Sequence, residues 1–322
     1  MSAQDRSLQQ YQQLLQLNAA SHLLRIAREV GLLDALSTGQ KTAEQLIEAL
    51  QLRPEMAHRM LAALRATGAI EQYGEDFALA QVTRLLCEFD ADLGDAMWEQ
   101  LAVALKQDVA ADTERYRNGL AATQWTHTRT AMEAAEMLNI GEDRAAPRIL
   151  DVGCGSAVWS CAMAFRDEAS TVTAVDHAAA LEAATSTAQS IELGERFQTI
   201  EGDPHEVELP AEAFDLAIIA QRLHSESLER GSELLRRVQA SLAEGGEVVV
   251  IDLFPTQSDP TAAVKLSEAL EALKMELCTA AGSIRSPQQT QEQIAAAGFR
   301  PAQFTYLPAS QINMGMLVAR KQ

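Results

Sequence analysis

Cysteine is scarce in this chain: Cys87, Cys154, Cys161 and Cys278 are spread over 322 residues, and no two form a CxxC pair. Neither a disulfide framework nor a Cys-ligated zinc site is expected, and free thiols fit a reducing, cytoplasmic setting. Long apolar runs are missing too. Nothing approaches the ~20 residues that a membrane-spanning helix needs, and the opening MSAQDRSLQQYQQ lacks the basic-then-apolar pattern of a secretory signal. No membrane partner is expected. Basic clusters do not exceed pairs such as Arg236-Arg237 and Arg320-Lys321. With 45 acidic against 26 basic side chains and a net charge of −19, the field of the protein repels phosphate backbones, so no nucleic-acid substrate is expected. None of the six histidines falls in HExxH or Cys-His ligand spacing, and no metal site is expected.

What is present is the composition of a folded protein, 47% hydrophobic and 22% charged, in a chain longer than one core usually serves. Two helices are expected over residues 6 to 36, the first with Leu8, Tyr11 and Leu15 and the second with Leu23, Ile26, Ala27 and Val30 at helical spacing before Gly31. Thr42 with Gln45 forms a capping box, Pro54 opens a further helix that ends near Gly68, and Gly74-Glu75-Asp76 interrupts two short apolar stretches. Residues 37 to 80 therefore read as a winged helix. Its would-be recognition helix offers only His58, Arg59 and Arg65, which together with the acidic surroundings speaks against DNA binding. Helical patterns follow from 90 to 138, carrying Met97, Trp98, Leu101, Leu105, Trp125, Met132 and Met137.

Beyond residue 145 the pattern alternates. Strands are expected at 148–153, 171–176, 197–202, 214–220 and 247–252, separated by Ala-rich helical stretches. That order implies a parallel sheet covered on both faces, and 303–307 with 312–320 would close it as an antiparallel hairpin at the edge. The chain is thus divided as 1–95, 96–145 and 146–322, with the fold class α/β.

The chemistry-bearing signal is Asp151-Val152-Gly153-Cys154-Gly155 at the end of the first of these strands, where glycines let the backbone turn sharply and approach a ligand. Asp176 ends the second strand, 21 residues after Gly155, and an acid there can accept from both hydroxyls of a ribose. Gly202-Asp203-Pro204 puts another carboxylate at the third strand end, suited either to an adenine amino group or to capping the next helix. A nicotinamide site shares the GxGxxG pattern, but Val158 stands in place of its third glycine and the closing hairpin is foreign to that class.

The ordered series LDVGCGS, TVTAVD, EGD, FDLAIIAQRLH, LAEGGEVVVIDLF and GSIRSPQQTQEQIAAAGF, with the N-terminal LNAASHLLRIAREVGLLDALSTG, resembles the S-adenosylmethionine-dependent O-methyltransferases of the plant caffeate and bacterial polyketide types. The resemblance covers nearly the whole chain. It implies a Rossmann-like seven-stranded sheet preceded by a mainly α, winged-helix dimerisation domain, hence a homodimer, and a small aromatic or polyketide-like acceptor. It implies cofactor contacts from Asp151, Gly153, Cys154, Gly155, Asp176, His177, Gly202, Asp203, Pro204 and Gln221. His224 matches the family's general base, a role that imidazole chemistry suits.

The chain departs from the family where Ser225-Glu226 follows the histidine and where Ile284-Arg285-Ser286 replaces Glu-Arg-Thr. An acid that would orient His224 is therefore sought in Glu226, or in Glu268 or Glu271, whereas Asp252 and Asp215 are assigned to capping or backbone satisfaction. Trp98, Trp125, Met132, Met275 and Met314 are candidate acceptor walls, or simply core. Two other readings stay open: a relative that binds the cofactor but decarboxylates or hydroxylates, and a regulatory protein that uses its winged helix for contacts.

Overall fold

The computed structural model describes residues 3–89, 95–255, 262–310 and 312–322. The chain forms two compact units, Met1–Leu93 and Gly94–Gln322. The helices read as bridging, at 96–145, fall within the second unit. The start of that helical pattern, 90–94, lies outside the described residues.

In the first unit a single helix, Ala3–Glu29, replaces the expected pair. No glycine or proline interrupts the chain between Leu15 and Leu23, so the helix runs on until Gly31, whose φ of 75° starts a new helix at Leu32–Ser37. Thr42 caps Ala43–Ala49 through the reciprocal bonds of the expected capping box, and Pro54 opens Pro54–Ala66. Strands β1 (Lys41–Thr42), β2 (Ile70–Tyr73) and β3 (Asp76–Leu79) form an antiparallel sheet in the order β1-β3-β2 within this mainly helical unit. Leu32, Leu36, Leu46, Leu61, Leu64 and Ile70 fill its core.

The second unit is built on β4 (Arg148–Val152), β5 (Thr171–Asp176), β6 (Phe197–Glu201), β7 (Phe214–Ala220), β8 (Leu242–Leu253), β9 (Gln303–Tyr306) and β10 (Met314–Arg320). They lie in the order β6-β5-β4-β7-β8-β10-β9. The first five are parallel, and β10 runs antiparallel to both β8 and β9, as the closing hairpin required. Alternate residues serve opposite faces: Ile149, Leu216, Ile218 and Val249 pack on one side with Trp159 and Met163. Leu150, Ala217, Ile219 and Val250 pack on the other with Leu234 and Val238. Burial on both faces explains why these strands are almost uniformly apolar. The order changes direction between β4 and β7, the place where open α/β sheets leave a crevice at their carboxyl ends. No helix among the described residues is long and apolar enough to cross a membrane.

Candidate active site

The β4 end runs into a turn in which Gly153, Gly155 and Ala157 all take positive φ, at 69°, 57° and 55°. The Gly153 and Cys154 amides bond to the Val175 carbonyl at 2.8 and 3.3 Å. The Gly155 amide donates to Asp176 Oδ2 at 3.0 Å, so the second strand-end carboxylate and the glycine turn meet. Asp176 Oδ1 accepts from the His177 amide at 2.8 Å, while the His177 side chain is exposed. Side chains crowd the turn closely. A Cβ on Gly153 would lie 3.1 to 3.4 Å from the Arg222 side chain, and one on Gly155 would meet Gln124 Oε1 at 3.1 Å and Ala121 at 3.4 Å. Gln124 Oε1 accepts from the Ser156 amide at 3.0 Å and from its hydroxyl at 3.1 Å.

Asp151 and Cys154 lie beneath this turn. Asp151 accepts from Ser160 Oγ at 2.5 Å, and burial raises its carboxyl to about 7; Cys154 is buried and its thiol pushed well above the ordinary value. Asp203 accepts from the His205 amide at 2.9 Å. Burial opposes its charge, but that amide and the charges of His205, Arg222 and Arg230 hold its carboxyl low. Pro204 gives its carbonyl to Arg237 Nε at 3.2 Å. Gly202, with φ of 152°, bonds its amide to the Asp176 carbonyl at 3.0 Å. Gln221 takes φ of 52° at the β7 end, and its Nε2 lies 3.3 Å from His127 Nε2.

His224 sits in the helical turn Leu223–Ser225, 2% exposed. Its backbone amide donates to Asp252 Oδ2 at 3.0 Å, and its Nδ1 is hydrogen-bonded to Asp252 Oδ1. The acid beside the histidine is thus Asp252, not Glu226, and Asp252 satisfies backbone amides as well. The parallel pairing of β7 with β8, where Ala220 faces Ile251, carries the ends of both strands to the same point. On the other side of the ring, Nε2 lies 2.8 Å from Tyr116 Oη, whose hydroxyl donates to Glu271 Oε1 at 2.8 Å. Burial works against a charged imidazole. Asp252, by charge and hydrogen bond, and Glu271 nevertheless raise the His224 pKa, with Arg285 opposing them. Burial together with Glu271 raises the Tyr116 phenol.

Glu226 belongs to a second cluster. Its Oε1 accepts from Arg117 Nη2 and Arg222 Nε, both at 2.9 Å, and its Oε2 meets His205 Nε2 at 2.7 Å. Burial would raise this carboxyl, but the His205 bond and the arginines hold it at about 2.

A cavity of about 330 Å³ opens beside the first cluster, with Trp98, Phe254, Leu270, Ile284 and Ile312 among its apolar walls. Glu268, Glu271 and Lys274 supply its polar edge. Of the five candidate acceptor walls only Trp98 is among its lining. Met275 is buried with Tyr116 and Cys278 next to Trp98, whereas Met132 and Met314 pack into the sheet core and Trp125 is half-buried in the short helix Gln124–His127. Tyr116, Gln124, Arg222 and Asp252 are the residues that sequence reasoning missed. Only Asp252 carried a signal, its place at the end of a strand neighbouring that of His224.

Residues 80–300 match the family model of the O-methyltransferase domain, about two thirds of the chain. No curated protein sequence gives a significant match. Among solved structures, the chain is similar to a putative O-methyltransferase of Nostoc punctiforme, with 21% identity, a TM-score of 0.73 and 97% and 98% of the two chains covered. It is also similar to human N-acetylserotonin methyltransferase in complex with S-adenosylmethionine, at 18% identity and TM-score 0.70, covering 100% and 98%. A third is the 8-amino-8-demethyl-riboflavin dimethyltransferase of Streptomyces davawensis, at 20% identity and TM-score 0.74 over all of both chains. With its sheet order, its glycine turn and the extent of the family match, the chain belongs to the S-adenosylmethionine-dependent O-methyltransferase family.

Proposed function

We propose that the protein methylates a hydroxyl of a small, flat, largely apolar acceptor, aromatic or polyketide-like, with His224 as the base on which the acceptor's proton ends. The observation that carries this reading is the buried Asp252–His224 pair, joined through Tyr116 to Glu271 on the wall of an apolar cavity.

The residues present fit S-adenosylmethionine. A glycine turn closely packed by Arg222, Gln124 and Ala121 is flanked by two strand-end carboxylates, and Gln221 Oε1, buried beside them, has no hydrogen-bond partner among the described residues. Asp176 would take the ribose hydroxyls, Asp203 the adenine edge with His177, Gly202 and Pro204 framing it, and the Gly153–Gly155 backbone with Gln221 the remainder, on the scaffold of Asp151 and Cys154. When bound, the cofactor supplies a methyl group already activated on sulfur. The protein therefore has to align the acceptor oxygen and remove its proton. Asp252 fixes the ring of His224 and favours its protonated form.

The exposed apolar side chains of the first helix, Leu8, Tyr11, Leu14, Leu15 and Leu17, support a homodimer formed through the N-terminal unit; sedimentation of a Leu8, Tyr11 and Leu15 triple Ser variant as a monomer would agree with it. The functional test is incubation with S-adenosylmethionine and a panel of hydroxylated aromatics. Acceptor-dependent release of S-adenosylhomocysteine is expected. Cofactor binding without release for any acceptor would instead favour the non-methylating reading.

A further inference from the structure

The face of His224 that should receive a proton is covered. Its Nε2 meets Tyr116 Oη at 2.8 Å, the two rings stand edge to face with centroids 6.0 Å apart, and Oη meets Glu271 Oε1 at 2.8 Å. The carboxylate, by contrast, lines the acceptor cavity. We propose that the acceptor's proton does not pass to His224 directly but enters at Glu271 and reaches Nε2 through the Tyr116 hydroxyl. This rests on the reading of His224 as the terminal base.

Counting protons supports it. Two hydrogen bonds among three heavy atoms need two protons between them. When the phenol donates to Glu271, its oxygen is free to accept from an Nε2–H, and with Nδ1–H facing Asp252 the ring carries both protons. That is the loaded form of the chain. The base-ready form holds one proton fewer and leaves either Nε2 against Oη or Oη against Oε1 with no hydrogen between them. Transfer of the acceptor's proton to Glu271 repairs that defect, because the protonated carboxyl can donate to Tyr116 Oη while Tyr116 donates to a neutral Nε2.

As the acceptor oxygen bonds to the methyl carbon, the carbon–sulfur pair returns to sulfur and the acceptor O–H proton passes to Glu271. The Glu271 proton shifts to Tyr116 Oη, and the phenol proton moves to Nε2. An imidazolium remains, and its proton is later released to solvent. The groups that set this balance are Asp252, Arg285 and Tyr116 around the ring, and Lys274, 3.5 Å from Glu271 Oε2, with Glu268 on the cavity side. Ile284 lies on the same cavity wall, and the carboxylate facing that cavity comes from helix Ala262–Cys278. Glu271 would touch the acceptor; Tyr116 is a positioning and relay residue.

The test is an NMR titration of histidine-labelled protein, with the His224 signal assigned by its loss in His224→Gln, alongside kcat, KM and their pH dependence for the best phenol of the panel. Glu271→Gln is expected to lower the His224 pKa and to reduce kcat at least tenfold with KM little changed, and Glu271→Asp to restore part of both. Tyr116→Phe should likewise reduce kcat at least tenfold with the Glu271 side chain kept in place. A His224 signal unmoved by Glu271→Gln overturns the chain even if no phenol is methylated, because the titration needs no turnover. Turnover by Tyr116→Phe or Glu271→Gln within twofold of wild type overturns the relay and returns the proton to Nε2 directly.

Discussion

His224 and Glu226 lie two residues apart on one turn, yet their surroundings are of opposite sign. Around His224 one imidazole is shared by two acids, Asp252 directly and Glu271 through Tyr116. Around Glu226 one carboxylate is shared by Arg117, Arg222 and His205. The first arrangement favours an extra proton on its centre and borders a cavity. The second holds its centre ionised down to about pH 2 and reaches the glycine turn through Arg222. One cluster is suited to moving a proton, the other to fixing the turn from which both hang. Variants that separate these two roles break or sharpen the comparison.

The largest effect is expected from His224→Ala, which should lower kcat by about 10²–10⁴-fold, the usual worth of a positioned acid–base group, while isothermal calorimetry finds cofactor affinity unchanged. Glu226→Ala should act on stability instead. It leaves the buried Arg222 and the partly exposed Arg117 without their carboxylate, and removal of one partner of a buried pair costs about 3–5 kcal/mol, readable from denaturant unfolding.

Asp252→Asn keeps the shape but removes the charge that favours the imidazolium, and a loss in kcat of about 10²-fold is expected. Asp176→Ala should weaken cofactor binding by about tenfold or more, since hydrogen bonds to a charged group contribute about 1.5–3 kcal/mol, with kcat at saturating cofactor close to wild type. The smallest effect is in acid. The folded Glu226 pKa of about 2 lies below the ordinary glutamate value of about 4.3. Its contribution is therefore complete above about pH 4.3 and is lost as pH falls towards about 2, so Glu226→Gln should flatten the stability curve in that window.

Much of this molecule was legible in its residues. The alternation of Val- and Ile-rich runs with Ala-rich helices pointed to a parallel sheet covered on both faces, because strands buried on both faces leave an unbroken apolar signature. Gly153, Gly155 and Asp176 could be read together because consecutive strands meet at one edge. What could not be read was which side chains meet across long loops. Tyr116 reaches His224 over 108 positions from a helix whose pattern only says that one side is covered. Glu226 looked like the acid for the histidine by proximity in sequence, but the turn points the two side chains into different clusters. Asp252 was passed over because a strand-end aspartate usually has backbone amides to satisfy. It does that as well, accepting from the His224 and Leu253 amides at 3.0 and 2.9 Å.

The most direct test of the account is the pH profile of single-turnover methyl transfer at saturating cofactor, from about pH 6 to about pH 10. A base that is imidazole held in its protonated form by Asp252 and Glu271 predicts a rate that rises through a pKa above the ordinary imidazole value of about 6.5, and a limb that moves to lower pH in Asp252→Asn. A rate that is flat across that range in the wild type would contradict it.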